Sequence, residues 1–402
     1  MSDSPGSVRS VTATSGLALA LPTALIGQTF TAAVMFAPAV LAPAASVDIG
    51  VPATLVGVVT ALIYLASAVA APAAGARVPR VGPVRITQCG LLVAGAGLAL
   101  AALAHPAAVI IAALVIGLGY GPSTPAGTAL LAEHTPPRLR NVIMSVRQTG
   151  VPLGGALAGL AIPWLITTGG WRMAVLVFAG ACAVIAVALQ PLRAKFDHPS
   201  ARATAAHADF GDAWRLLLSH AELRRISFTA FLFGGVQMSF ASFLVVFLME
   251  RADLSVVRAG AVLSAAMLSG IAGRLLWGAA ADYYRNPRGV LIGLGVAAAV
   301  CAAAMAHVSP QWPYAAIVGL ASIFGAATLG WNGVYIGELA RVAPPGKVAM
   351  VTGVSLSCAY CGVVVAPPVF ALVLALSGSY VAGFMMLAAL ALAGVASLLR
   401  RR

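Results

Sequence analysis

Arg274 is the residue of this 402-residue chain whose position most demands a chemical explanation. It stands in an apolar run eight residues before Asp282, about 12 Å along a helix at ~1.5 Å per residue. That places it near mid-membrane depth, where a cation costs at least ~2.5 kcal/mol. It must face a polar cavity or a partner. Contact with an anionic substrate is one way to meet that cost, and a structural ion pair is the other. Arg147, followed by Gln148, Thr149 and Gly150, sits about two turns into another apolar helix. It either lines the same cavity from the inner side or extends its head to lipid phosphate. Uncharged polar and aromatic groups inside apolar runs complete the candidates: Gln28, Thr31, Tyr120, Ser123, Gln237, Trp331, Asn332 and Tyr335. Each suits either substrate contact or an interhelical hydrogen bond.

The acids discriminate further. None of the eleven falls clearly at mid-membrane. Glu133 and Glu338 stand near helix ends beside Arg138, Arg140 and Arg341, where local ion pairs at a gate are the simplest reading. A carrier of organic cations needs a buried anion. A buried arginine without one favours an anionic substrate. The histidines show no metal-ligand spacing, and no phosphate-binding loop is present, so neither a metal site, an enzyme nor direct ATP coupling is expected. No cofactor is expected beyond a proton.

The elements that position these residues follow from composition. Hydrophobic residues make up 61% of the chain and charged ones 9%, against roughly 25% charged in a soluble domain. At about 20 apolar residues per crossing, the chain is used up by about twelve spans. Helices are predicted near 16–44, 52–76, 84–104, 107–133, 142–167, 171–192, 226–249, 256–282, 289–307, 313–340, 347–376 and 379–399. The fold class is therefore all-α integral membrane, with both termini on one side.

Charge asymmetry names the side. With the N-terminus inside, 20 of the 24 lysines and arginines fall on cytoplasmic segments, three outside, and Arg274 within a helix. The positive-inside rule accounts for the net charge of +13 without a nucleic acid or other polyanion. The bilayer is the macromolecular partner, and both termini are expected in the cytoplasm.

The polar segment 193–225 divides the chain into an N-terminal six-helix half (1–192) and a C-terminal one (226–402). Phe210, Trp214, Leu217 and Leu218 recur there at helical spacing, which fits either a helix lying on the membrane surface or a solvated linker helix. The halves carry weak internal similarity at an offset of 203 residues. Gly75 with its following arginines corresponds to Gly278 with Asp282 and its arginines, and Thr149-Gly150 to Thr352-Gly353. The glycines are read as helix ends before a charged turn. Ala71 occupies the position that matches Arg274, so the scaffold itself does not require an arginine there.

With these motifs the chain resembles the major facilitator superfamily. Gly75, Arg80, Gly82 and Arg85 match the signature that follows its second helix, with Pro79 where the family carries Asp. The resemblance implies twelve helices in two pseudo-symmetric halves, a cavity lined by helices 1, 4, 7 and 10, and mostly monomeric carriers. It also implies a conformational role for Gly75, Arg80, Gly82, Arg85, Gly278 and Asp282, with Glu133, Glu338 and Arg147 as further gating candidates. The string Gly273-Arg274-Leu275-Leu276-Trp277-Gly278 is similar to the helix-8 arginine of monocarboxylate and oxalate/formate transporters, although Gly270 replaces the acid that monocarboxylate carriers place one turn earlier. The expected function is a bacterial inner-membrane secondary transporter that takes up a small organic anion with protons. Its substrate contacts are Arg274, Gln28, Thr31, Tyr120, Gln237, Asn332 and Tyr335. The alternative is an exporter of neutral drugs or metabolites.

Overall fold

The computed structural model describes residues 6–50, 56–197 and 210–399, with 6–15, 56, 210, 256 and 257 described by backbone alone. Among the described residues, twelve long helices carry the fold. They are α1 (Gly6–Ile49), α2 (Val56–Val81), α3 (Pro83–Leu100), α4 (Pro106–His134), α5 (140–169), α6 (171–188), α7 (Ala221–Arg251), α8 (Val256–Tyr283), α9 (Pro287–Met305), α10 (Tyr314–Val342), α11 (Val348–Ser377) and α12 (Tyr380–Leu399). Eleven stretches among the described residues are long and apolar enough to cross a bilayer, and one of them is 60 residues long. A straight helix of that length would run about 90 Å, three bilayer cores. It turns back at Gly170, whose φ of 80° and ψ of 169° fall in a region that glycine alone enters readily. The eleven stretches therefore make twelve crossings.

Local chemistry sets several ends. The His105 side chain accepts from the Ala107 N–H and starts α4, with Pro106 at the first helical position. Gly121 and Pro122 divide α4 into two helical runs, because proline cannot donate the ladder bond. Gly82, at φ 93°, breaks α2 from α3.

The two halves repeat one packing scheme. A Cβ at Gly117 of α4 would lie 2.3 Å from the Ile63 carbonyl of α2, and one at Gly325 of α10 the same distance from the Ala266 carbonyl of α8. Residues 63 and 266 are again 203 apart. With so little hydrophobic drive between helices in lipid, small residues allow the close approach that packing needs.

Contacts between the halves run through α2 with α11, α4 with α11, and α5 with α8 and α10. They begin near the centre at Tyr64 and Tyr360 and continue to the end of the bundle that carries Arg77, Arg80, Arg85 and Arg285. The opposite end holds Asp48, joined to Trp171 at 2.9 Å and Arg172 at 2.7 Å, and Glu250, which accepts from the Tyr380 hydroxyl.

The linker helix Phe210–Ser219 rests one face on the bundle. Its buried Ala213 and Leu217 pack on Met350 and Val354 of α11, because the α11 terminus offers the nearest apolar surface to its apolar face. Linker residues 198–209 and the terminal Arg400, Arg401 and Arg402 lie outside the described residues. One expectation needs correction: Gly75 does not end its helix. α2 continues past Gly75 to Val81, and α8 past Gly278 to Tyr283.

Candidate functional site

Arg147 and Arg274 meet at the centre of the bundle, one from each half. Arg147 is fully buried. Its Nη1 donates to Gln148 Oε1 at 2.8 Å, and its Nη2 to the Ser123 carbonyl at 2.9 Å and to Gln28 Oε1. Ser123 and Thr124 of α4 donate to the same Gln28 oxygen at 3.2 and 3.3 Å. A Cβ at Gly127 would come within 2.5 Å of Arg147 Nε, so the missing side chain makes room for the guanidinium. Arg274, 6% exposed, donates from Nε to the Leu329 carbonyl at 2.9 Å and from Nη1 to the Gln148 carbonyl at 2.5 Å. Gln148 thus accepts from both arginines, with its amide oxygen from one and its backbone oxygen from the other. The second bond crosses from one half to the other.

Neither arginine makes an ion pair among the described residues; every partner above is a neutral oxygen. The described acids stand at helix ends or in connections. Three tyrosines wall the same space. The rings of Tyr64 and Tyr360 lie 5.6 Å apart and those of Tyr120 and Tyr360 6.2 Å apart. Tyr64 and Tyr120 lie near Arg274, and Tyr120 and Tyr360 near Arg147. Two buried cations without counter-ions, beside an aromatic wall, form a place where an organic carboxylate is better solvated than a neutral molecule.

The remaining expected contact residues divide. Gln237 and Asn332 are half-buried beside Arg274, while Trp331 donates to Gln237 Oε1 at 3.0 Å. Tyr335 is buried, with its hydroxyl 2.5 Å from Ser355 Oγ, which also accepts from Ser227 at 2.7 Å. It ties α10 to α11 and α7, within the C-terminal half. Thr31, also buried, spends its hydroxyl on the Gly27 carbonyl of its own helix at 2.8 Å. The structure does not bring Thr31 or Tyr335 to the arginines.

The residues expected at the gate lie along the closed arginine-rich end. A Cβ at Gly75 would sit 2.3 Å from the Ala349 carbonyl of α11, and one at Gly278 would sit 2.4 Å from Ser145 Oγ of α5. The two glycines seat the two pseudo-equivalent seams between halves. Asp282 accepts from the Asn141 N–H at 3.2 Å, the Asn141 side chain at 2.6 Å and the Val142 N–H at 2.8 Å, which caps the start of α5 from the other half. The matching N-half position is Pro79, and the α11 terminus has no side-chain cap. Removing the cap as Asp282→Ala should cost about 0.5–2 kcal/mol, a two- to thirtyfold shift towards opening. The labelling rate of a buried Ser357→Cys in a cysteine-free background reads it, and an unchanged rate counts against the cap.

Arg80 and Arg85 are exposed at that end. Gly82 leaves room for Asp197, whose carboxylate accepts from the Val84 and Arg85 N–H groups at 2.8 and 3.0 Å. Glu338 is buried and pairs with Arg341 at 2.7 Å. Glu133 is exposed and makes no ion pair with Arg138 or Arg140 among the described residues, so water solvates its charge instead. Sequence reasoning missed Tyr64, Tyr360 and the double acceptor Gln148. They stand on helices 2, 11 and 5, outside the set of helices 1, 4, 7 and 10 that the resemblance names as lining the cavity.

Comparison with known proteins adds the following. Residues 24–354 match the sequence model of the Major Facilitator Superfamily. A gallate transporter of Pseudomonas putida is 31% identical over 157 residues, which span 38% of this chain and 33% of that protein. The 4-hydroxybenzoate transporter PcaK of Acinetobacter baylyi is 30% identical over 133 residues, 33% of this chain and 29% of that one. The matched stretches thus span about a third of these relatives' lengths. Among solved structures, the human organic anion transporter MFSD10 superposes with a TM-score of 0.74 at 18% identity, covering 94% of this chain and 98% of that one. The E. coli fucose:proton symporter FucP superposes with a TM-score of 0.74 at 15% identity, covering 94% and 97%. At these identities the structures show a shared fold.

Proposed function

The chain belongs to the Major Facilitator Superfamily, whose members are multi-pass membrane transporters and not enzymes, and from that premise we propose that it carries a small aromatic carboxylate across the membrane by alternating access. Arg274 and Arg147 hold the carboxylate, and Tyr64, Tyr120 and Tyr360 face the ring. The observation that carries this reading is the pair of buried guanidiniums with neutral acceptors only. Burying a cation without a counter-ion costs several kcal/mol, so a bound anion is the partner the site lacks. The names of the gallate and 4-hydroxybenzoate relatives agree with an anion that bears a ring. A neutral-substrate exporter would leave both charges uncompensated throughout its cycle.

The arginine-rich end faces the cytoplasm of a bacterial inner membrane under the positive-inside rule. With the inner end closed, substrate would enter from the outer side, as uptake requires. The halves then separate along the α2–α11 and α5–α8 seams and close at the opposite end. Proton symport, expected on likeness, has no carboxylate within the site to carry it among the described residues.

Uptake of labelled 4-hydroxybenzoate into proteoliposomes tests the reading, with and without an inward proton gradient. Uptake should exceed protein-free vesicles about tenfold, compete with unlabelled carboxylates and ignore 4-hydroxybenzamide. Stimulation by the gradient establishes coupling. Competition by the amide as strong as by the acid would contradict the anion site.

A further inference from the structure

A donor and an acceptor stand ready beside Arg274, and their identities are fixed by chemistry rather than by choice of amide orientation. The Trp331 indole N–H can only donate, so the Gln237 atom it meets at 3.0 Å is the carbonyl Oε1. Asn332 also sends one side-chain atom to that oxygen at 3.1 Å, and the same atom lies 3.4 Å from the Leu329 carbonyl. Both of those are acceptors, so the Asn332 atom is the amide nitrogen. Gln237 Nε2, a donor, and Asn332 Oδ1, an acceptor, are left over. Neither has a protein partner among the described residues, and both residues are half-buried. Rings hold the pair in place: Trp331 packs edge-on against Phe233 at 5.7 Å and tilted against Tyr335 at 5.1 Å.

The Leu329 carbonyl locates the pair. It accepts from Arg274 Nε at 2.9 Å as well as facing Asn332. The guanidinium and the Asn332 amide therefore flank a single oxygen. A ligand whose carboxylate reaches Arg274 brings its far side past Gln237 and Asn332. A free donor next to a free acceptor matches one common group, a hydroxyl, which accepts and donates at once.

We propose that Gln237 and Asn332 select a hydroxyl on the carboxylate substrate, so that the carrier discriminates hydroxylated aromatic acids from plain ones. This rests on the anion reading above and names what that reading leaves open. The two residues are specificity-determining groups: Arg274 supplies affinity for any carboxylate, and the amide pair rewards the hydroxyl. Without it, the donor and acceptor lose water and gain nothing.

Binding of benzoate, 3-hydroxybenzoate and 4-hydroxybenzoate to the full chain in nanodiscs tests the proposal. On the wild type at least one hydroxylated isomer should bind about 10- to 100-fold more tightly than benzoate. Asn332→Leu and Gln237→Met should each reduce that ratio to near unity, and benzoate binding retained at any affinity shows that the variant is folded. Benzoate binding is thus the control for folding in every variant. A wild type that binds all three acids equally overturns the hydroxyl selection and leaves the anion site standing. A wild type that binds none of them overturns the anion site itself. Unchanged ratios in both variants, or loss of every ligand from both, assign the pair a structural role and overturn the proposal.

Discussion

Arg274→Met is expected to abolish carboxylate binding and to leave the protein at least as stable as the wild type. The two effects have opposite signs if the residue serves a ligand rather than the fold. Truncating one partner of a desolvated charge pair costs about 2–5 kcal/mol, roughly 30-fold to several-thousand-fold in affinity. The apo protein, by contrast, is relieved of a buried cation whose partners are two backbone carbonyls, from Leu329 and Gln148. The Leu329 carbonyl keeps its ladder bond, whereas the Gln148 carbonyl, four residues before Pro152, loses its donor at a cost of about 1–3 kcal/mol, less than the several kcal/mol of burying an unpaired cation. Exchanging a buried ion for an apolar side chain of similar reach is often neutral or stabilising. Thermal unfolding of the apo protein, run beside 4-hydroxybenzoate binding, checks both. A variant that loses stability and binding together would make Arg274 a structural group.

The second large effect is conformational. Gly75→Val places a branched side chain where a Cβ already meets the Ala349 carbonyl at 2.3 Å, and Gly353→Val does the same against the Ala71 carbonyl at 2.3 Å. Both obstacles are backbone, so a rotamer change cannot relieve them, and α2 and α11 must part at the arginine-rich end. Overpacking of this kind costs about 1–3 kcal/mol, a 5- to 150-fold shift in the balance of states. The reporter sits on the other seam: Ser145, fully buried between α5, α8 and α10, changed to cysteine in a cysteine-free background. Its maleimide labelling should speed up by that factor if the halves move as rigid bodies. Labelling at the wild-type rate would mean that the α2–α11 seam opens without its pseudo-equivalent.

Particular residues show how far the sequence carries this account. The helices were legible from hydropathy, because a span must satisfy its backbone internally and therefore reads as a long apolar run. Arg274 was legible for the same reason: a charge inside such a run has few structural explanations. Arg147 was ambiguous, since two turns from a helix end a long side chain reaches either lipid or the centre. Its burial depends on Gly127 of a neighbouring helix, which no local pattern announces. Gly75 was found but misread as a terminus, because sequence shows that a side chain is missing and not what approaches it. Tyr64 and Tyr360 are contributed by opposite halves, and only the crossing of α2 with α11 joins them.

The linker helix teaches a related lesson. Its spacing gave an apolar face without saying what covers it. The structure puts Leu217 on Met350 and Val354, directly over the end of the bundle where the halves are closed. The capping role of Asp282 depends likewise on an α5 terminus that lies about 140 residues earlier in the chain.

Everything proposed for this carrier depends on the paired arginines forming a site for an organic carboxylate. Equilibrium binding of 4-hydroxybenzoate and 4-hydroxybenzamide to wild type and Arg274→Gln tests it most directly, since acid and amide differ in little but charge. The expected result is binding of the acid to wild type alone, with the amide at least about 30-fold weaker. Equal binding of acid and amide, or acid binding that survives in Arg274→Gln, would contradict it.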